Sequence, residues 1–282
     1  ADPELVNADK GSQALRVCQV RSCWLPRYEV KRVTTHNEDA VETSMEALAL
    51  ASDGPSLRAA LAGLPERYGA WIEGQAAIPL EDPRREETRS ILIAKAQRAQ
   101  ERIAAGIDRL ASDDEARRAF CLANQAMATA ARQRNAERYK DGGVPSWRLF
   151  QLAFVLLNIS GVADELSDDR EIAELIFFPT GGGKTEAYLG VIGFCLLLRR
   201  LRGVRRRDQG LGVTVLLRYT LRLLTLDQLG RAATLICALE LLRQKQPKLL
   251  GDVRFSVGLW VGSAATPNTM EQARKQVTDY KN

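Results

Sequence analysis

The chain has 282 residues, 45% of them hydrophobic and 27% charged, and its formal net charge is +5 at neutral pH. This length is enough for two domains, and the composition is ordinary for a folded globular protein. The five cysteines are scattered and complete neither a disulfide framework nor a zinc site, so reduced cysteines are expected. The longest apolar stretches, Leu149–Leu157 and Ala187–Leu198, are too short or too polar to cross a bilayer. These features exclude a membrane-spanning protein, and they favour a cytoplasmic one with no membrane partner.

Prolines interrupt residues 1–83, which are predicted to form an irregular or mixed N-terminal segment. Residues 84–141 predict a helical hairpin, because apolar side chains recur at spacings of three and four along two stretches. The second helix is expected to begin near Ser112, since Ser112–Glu115 fits a capping box. The turn-rich stretch Asp141–Pro145 ends the hairpin, and a domain boundary is predicted there.

Beyond this boundary, short runs rich in β-branched and aromatic residues alternate with longer helical stretches. Three runs predict buried strands, namely Glu174–Phe178, Gly212–Arg218 and Phe255–Val261. Two stretches between them predict helices, namely Glu186–Arg202 and Leu221–Arg243. Strands that alternate with helices in this order imply an α/β fold with a parallel sheet and right-handed crossovers.

A phosphate-binding loop is predicted over Phe178–Thr185, which reads Phe-Pro-Thr-Gly-Gly-Gly-Lys-Thr between a predicted strand and a predicted helix. The general P-loop pattern asks for glycine where Phe178 stands. What survives is Pro-Thr-Gly-x-Gly-Lys-Thr, the form known as motif I of superfamily-two helicases. The alternative is a glycine-rich turn before a buried helix. The loop predicts that residues 145–282 are an incomplete RecA-like P-loop domain, the first helicase lobe, preceded by a mostly helical N-terminal region.

The loop also predicts that ATP and Mg²⁺ are the cofactors. Backbone N–H groups of the glycines would turn toward phosphate oxygens, and the next helix would point its N-terminus at the same anion. Lys184 would reach the β- and γ-phosphates and the Thr185 hydroxyl would ligate Mg²⁺, so these two are the predicted catalytic residues. The other residues predicted to contact the nucleotide are Arg148, Gln151, Thr180, Gly181, Gly182, Gly183 and Glu186.

Arg148 and Gln151 belong to this set because Arg-Leu-Phe-Gln resembles the helicase Q motif. In that motif an amide side chain pairs with the N6 and N7 edge of adenine, as a glutamine can do with two hydrogen bonds. The alternative for Gln151 is an exposed helix residue.

Nucleic-acid contacts are predicted downstream, at Thr220 and Arg222 in the position of helicase motif Ia and at Gly262 in that of motif Ib. Residues 186–250 hold 12 Lys and Arg against 4 Asp and Glu, so basic charge gathers where a polyanion could lie. The alternative is an ordinary strand-to-helix turn with a solvated basic surface.

Hydrolysis also needs a second acidic motif, a strand that ends in Asp-Glu, and no such pair follows Lys184. Asp227 is the nearest imitation, but it lies within a helical pattern. A second helicase lobe is absent as well. The expectation is therefore a piece of a longer protein, inactive as an enzyme by itself.

Together these stretches resemble the helicase subunit family of the DISARM anti-phage systems. The likeness rests on Trp147–Phe154, Phe178–Gly190, Leu217–Thr225 and Gly258–Gly262, and more loosely on stretches upstream. The resemblance implies a superfamily-two DNA helicase or translocase that uses ATP and Mg²⁺. It also implies two partners: DNA, single-stranded or with a single-stranded region, and a second core DISARM subunit.

Two alternatives to a motor remain open from the residues. One is a nucleotide-gated, DNA-binding scaffold module without turnover. The other is a P-loop kinase or small GTPase, which the lack of a guanine-reading Asn-Lys-x-Asp motif disfavours.

Overall fold

Three helices of this chain begin directly after an aspartate that caps the helix N-terminus. A computed structural model describes residues 39–178, 182–206, 210–218, 222–259 and 269–281, which fall within a compact unit of residues 35–282. The side chains of Asp53, Asp82 and Asp113 accept backbone N–H groups in the first turns of the second, fourth and fifth helices. Such caps satisfy N–H groups that have no partner within the helix.

The described residues contain ten α-helices. They are α1 Met45–Ala49, α2 Gly54–Leu61, α3 Gly63–Ala76, α4 Pro83–Ser112, α5 Asp114–Arg134, α6 Leu149–Ala163, α7 Lys184–Arg206, α8 Arg222–Lys245, α9 Pro247–Leu250 and α10 Met270–Lys281. Two 3-10 helices, Glu137–Tyr139 and Asp168–Glu171, connect them. The predicted hairpin is thus a pair of helices, α4 and α5, with Asp113 at the junction.

The core lies where α4 and α5 pack against α6, α7 and α8. Its largest fully buried side chains include Phe120, Leu152, Leu156, Phe194 and Leu235. The helices predicted before and after residue 145 therefore share one hydrophobic core.

A glycine sets the crossing of α4 and α6. A Cβ atom at Gly106 would lie 2.0 Å from the backbone oxygen of Leu156. Real Cβ atoms do not approach a carbonyl so closely, so the two backbones can meet only because Gly106 lacks a side chain.

A buried arginine joins α4 to the segment that leads to the loop. Arg102 is 6% exposed, and its guanidinium lies 3.0 Å from Asp169 and 2.5 Å from Glu174. Arg98, one turn earlier and mostly exposed, reaches the same Asp169 carboxylate at 3.1 Å. Two carboxylates thus share a cation that is screened from solvent.

The predicted RecA-like α/β parallel sheet is wrong for the described residues, because no β-strand lies among them. The described parts of the three predicted strands have no regular secondary structure. Apolar side chains in two of them face solvent: Leu175, Phe177, Val213 and Leu216 are between 76% and 92% exposed. A strand is stabilised by a paired neighbour and a covered face, and β-propensity supplies neither. The described fold is helical.

Two arginines of α7 donate to backbone carbonyl groups, one within the second of these segments and one ahead of the third. Arg199 of α7 donates to the carbonyl oxygen of Val213 at 3.1 Å. The next residue, Arg200, donates to the carbonyl oxygen of Leu250 at 3.0 Å, at the end of α9. The segment after α7 and the segment after α8 are therefore each hydrogen-bonded to α7, by Arg199 and Arg200 respectively.

Glu240 of α8 is hydrogen-bonded to the segment after α9, at Phe255. This contact leads us to expect that stability depends on pH. Its carboxylate accepts two bonds from Arg243, at 2.7 and 2.8 Å, and one from the backbone N–H of Phe255 at 3.2 Å. These bonds, with that from Arg243 the largest cause, lower the pKa of Glu240 from 4.5 to about 2. A carboxyl group with a lowered pKa stabilises the fold at pH values above the pKa of the unfolded state. This stabilisation disappears as the pH falls through the pKa of the folded state.

We expect Glu240→Gln to lower the free energy of unfolding by about 1–3 kcal/mol at pH 7, where it removes charge-assisted hydrogen bonds. The difference from the wild type should shrink as the pH falls from about 4.5 to about 2, because the wild-type carboxyl then protonates. Urea denaturation at pH 7, 5 and 3 measures it. A difference that stays constant over this range contradicts the assignment.

Candidate nucleotide-binding site

The predicted phosphate loop turns into α7 at Gly183, where the backbone is left-handed. Its φ is +85°, and a Cβ atom there would lie 2.7 Å from the Gln151 side-chain nitrogen. Both facts require glycine at this position. Helix α7 begins at the next residue, Lys184, so its N-terminus faces the turn. Thr180 and Gly181 of the predicted site lie outside the described residues.

Two residues at the start of α6 hold this turn. Arg148 donates to the carbonyl oxygen of Gly182, and Gln151 Nε2 donates to that of Gly183, both at 2.7 Å. The Gln151 oxygen accepts the Arg148 backbone N–H at 2.8 Å, and the Gln151 side chain is buried. The structure therefore brings together the Q-motif-like residues and the glycines of the loop.

This arrangement shows a contact of Gln151 that the sequence pattern did not reveal. Its amide oxygen and one of its N–H groups already have partners within the chain. The reading of adenine by Gln151 stays a prediction, and holding the loop is the role that the geometry gives it. The alternative of an exposed helix residue is wrong, because Gln151 is 4% exposed.

Lys184 lies across the mouth of the loop. Its ammonium group donates to the backbone oxygen of Phe178, the residue at the other end of the loop. The Phe178 ring stacks on Phe150 of α6, with centroids 4.1 Å apart and planes at 8°. Residues on α6 and α7 thus fix the two ends of the loop.

The Thr185 side chain begins a chain of hydrogen bonds between α7 and α8. The Tyr188 hydroxyl lies 2.7 Å from the amide oxygen of Gln228 and 3.1 Å from the Thr185 hydroxyl oxygen. The Tyr188 hydroxyl thus connects Thr185 of α7 to Gln228 of α8. The role of Thr185 as a magnesium ligand stays a prediction.

Glu186 makes contacts that sequence reasoning missed. One of its carboxylate oxygens, Oε1, accepts from Arg134 at 3.1 Å and from Arg231 at 2.8 Å. These arginines lie 52 and 45 residues away along the chain, on α5 and α8. No local pattern marks either of them, because only the packing of three helices brings them to Glu186.

The predicted nucleic-acid contacts are little described. Thr220 and Gly262 lie outside the described residues, and so does the side chain of Arg222, which is the first residue of α8. All three contacts stay predictions.

No family model matches the chain. It is similar to the DISARM protein DrmA of Bacillus paralicheniformis, with 37% identity over 276 residues that cover 90% of the chain. The chain spans about a quarter, 24%, of the length of that protein. The resemblance to a DISARM protein that the sequence motifs predicted is therefore confirmed, for the part of the relative that the chain matches.

None of the helices within the described ranges combines the length and the apolar character that crossing a bilayer requires.

Proposed function

We propose that this chain binds ATP with Mg²⁺ at the loop before α7, as the nucleotide-binding part of a DNA translocase or helicase in anti-phage defence. The observation that carries the proposal is how the two ends of the loop are held: Arg148 and Gln151 bond to Gly182 and Gly183, and Lys184 bonds to the backbone oxygen of Phe178. The similarity to a protein named as a DISARM component supports the defence role.

The loop can hold phosphate oxygens for general physical reasons. The first turn of α7 has backbone N–H groups without partners inside the helix, and they point at the turn. The Lys184 ammonium would leave the Phe178 oxygen and bind a phosphate oxygen, since a charged acceptor makes the stronger bond. The Thr185 hydroxyl would be the protein ligand of Mg²⁺, which otherwise coordinates phosphate and water.

Work on DNA is the second part of the proposal. Thr220, Arg222 and Gly262 would contact a single strand or a single-stranded region. The basic stretch after the loop would attract its phosphates. A second core DISARM subunit would be the protein partner.

A scaffold that binds nucleotide without turnover is the second candidate. It is favoured by the state of the two carboxylates that contact this network. Glu186 is engaged by two arginines, and Asp227 accepts from Gln228 at 3.2 Å. Both carboxylates are thus already hydrogen-bonded within the chain.

Lys184→Ala in the full-length protein tests the proposal. ATP turnover, with and without single-stranded DNA, should fall by at least about 100-fold, because charge stabilisation at the phosphates is lost. Lys95→Ala, which removes an exposed lysine of α4, is the matched control and should turn over like the wild type. Measurable turnover that is unchanged in Lys184→Ala contradicts the nucleotide site. Lys184-dependent binding of ATP with no turnover supports the scaffold.

A further inference from the structure

One carboxylate oxygen beside the loop serves two guanidinium groups from two other helices. Arg134 in the last turn of α5 and Arg231 of α8 both bond to Glu186 Oε1. The three side chains are between 21% and 31% exposed, so a ligand from solvent can reach them. A single carboxylate cannot neutralise two guanidinium charges, and positive charge is left over.

The other oxygen of Glu186 lies against the phosphate loop. Oε2 is 3.4 Å from the point where a Cβ atom of Gly183 would lie, and the Arg148 guanidinium is 3.7 Å from the same point. The carboxylate therefore lies between the glycine turn on one side and Arg134 and Arg231 on the other, and Arg148 lies beside the same turn. Guanidinium groups bind carboxylate and phosphate with the same geometry, so each can replace the other as acceptor.

We infer that Glu186 is an internal stand-in for phosphate. It holds Arg134 and Arg231 beside the loop when no nucleotide is bound, and it yields them to phosphate oxygens when a nucleoside triphosphate enters. The inference rests on the proposed function, because it needs the loop to bind phosphate. It adds Arg134 and Arg231 as phosphate ligands from outside the loop motif, and it makes Glu186 a competitor of phosphate for them.

The direction in which nucleotide affinity changes when the Glu186 charge is removed distinguishes this role from that of a structural ion pair. If Glu186 competes with phosphate, removing its charge frees the arginines and tightens nucleotide binding, because a site blocked part of the time binds more weakly. If Glu186 only positions the arginines, removing its charge leaves nucleotide binding unchanged or weakens it.

The experiment measures dissociation constants of a non-hydrolysable ATP analogue and of ADP, each with Mg²⁺, by calorimetry on the full-length protein. Glu186→Gln should bind the ATP analogue about tenfold more tightly than the wild type. Arg134→Gln and Arg231→Gln should each bind it about tenfold more weakly, since a bond to a charged group is lost, and ADP should change less. If Glu186→Gln melts below the assay temperature, Glu186→Asp, whose carboxylate is withdrawn by one methylene, should also bind more tightly.

Glu46→Gln is the matched control. It breaks another carboxylate–arginine pair of α5, to Arg132 at 2.8 Å, and should leave both constants unchanged. Glu186→Gln that binds as the wild type does, or more weakly, overturns the inference while the nucleotide site stands if Lys184→Ala still abolishes binding. A wild type that binds neither nucleotide removes the proposed function and the inference with it.

Discussion

Replacing Arg102 with methionine is expected to lower the free energy of unfolding by about 3–5 kcal/mol. Methionine keeps most of the volume but leaves the carboxylates of Asp169 and Glu174, 10% and 21% exposed, without their shared cation. An uncompensated charge in a poorly solvated place is costly, whereas the intact pair contributes little. Urea denaturation at pH 7 measures the loss.

Arg98→Met is the matched control, because Arg98 reaches the same Asp169 from a side chain that is 59% exposed. Exposed pairs contribute about 0–1 kcal/mol, so this variant should stay close to the wild type. Glu174→Gln added to Arg102→Met should restore part of the loss, since it removes the carboxylate that is left without a cation, whereas Asp169 keeps Arg98. If Arg102→Met and Arg98→Met lower the free energy of unfolding equally, the buried position of Arg102 between the two carboxylates is not the cause of the loss.

Gly106→Ala is expected to destabilise the fold by about 2–3 kcal/mol, although alanine is the better helix former. The added methyl group would lie 2.0 Å from the Leu156 carbonyl oxygen and 3.4 Å from the Ile159 Cβ. A backbone oxygen cannot rotate away, so α4 and α6 must separate and the core between them must loosen. Thermal and urea unfolding both measure the effect.

Gly230→Ala is the control for Gly106→Ala. Gly230 lies within α8, is exposed, and has no atom within 4 Å of the position of a Cβ. Alanine should stabilise the helix there by up to about 1 kcal/mol. A loss at Gly230 as large as that at Gly106 would show that the crossing of α4 and α6 is not the cause.

The sequence predicted the four helices α4, α5, α7 and α8 because their signals are local, whereas α1, α2 and α3 lie in the segment predicted to be irregular or mixed. The spacing of apolar residues and the capping aspartates depend on neighbours a few positions away, and α4, α5, α7 and α8 lie within a few residues of their predicted bounds. The sheet was wrong because strand pairing is a long-range property. Nothing in the local pattern of residues 212–218 shows that Arg199 binds one of their carbonyl groups and that Leu216 stays exposed.

In the candidate site, too, the residues with local sequence signals were predicted and those brought in by long-range packing were not. Gly183 and Lys184 are visible from the motif, and the left-handed turn before α7 agrees with it. Arg134 and Arg231 were not visible, because an arginine within a charged helix is most simply read as a solvated residue. Contacts across 45 residues or more follow from packing, and no motif records them.

Helix α7 has a mechanical consequence. It carries the loop at Lys184 and, 16 residues later, Arg200, which binds the end of α9. A rise of about 1.5 Å per residue puts these points about 24 Å apart along a stiff rod. In the proposed nucleotide site, a shift of the first turn on phosphate binding would therefore also move the segments bonded to Arg199 and Arg200. The far end of α7 would then respond to the proposed nucleotide without touching it.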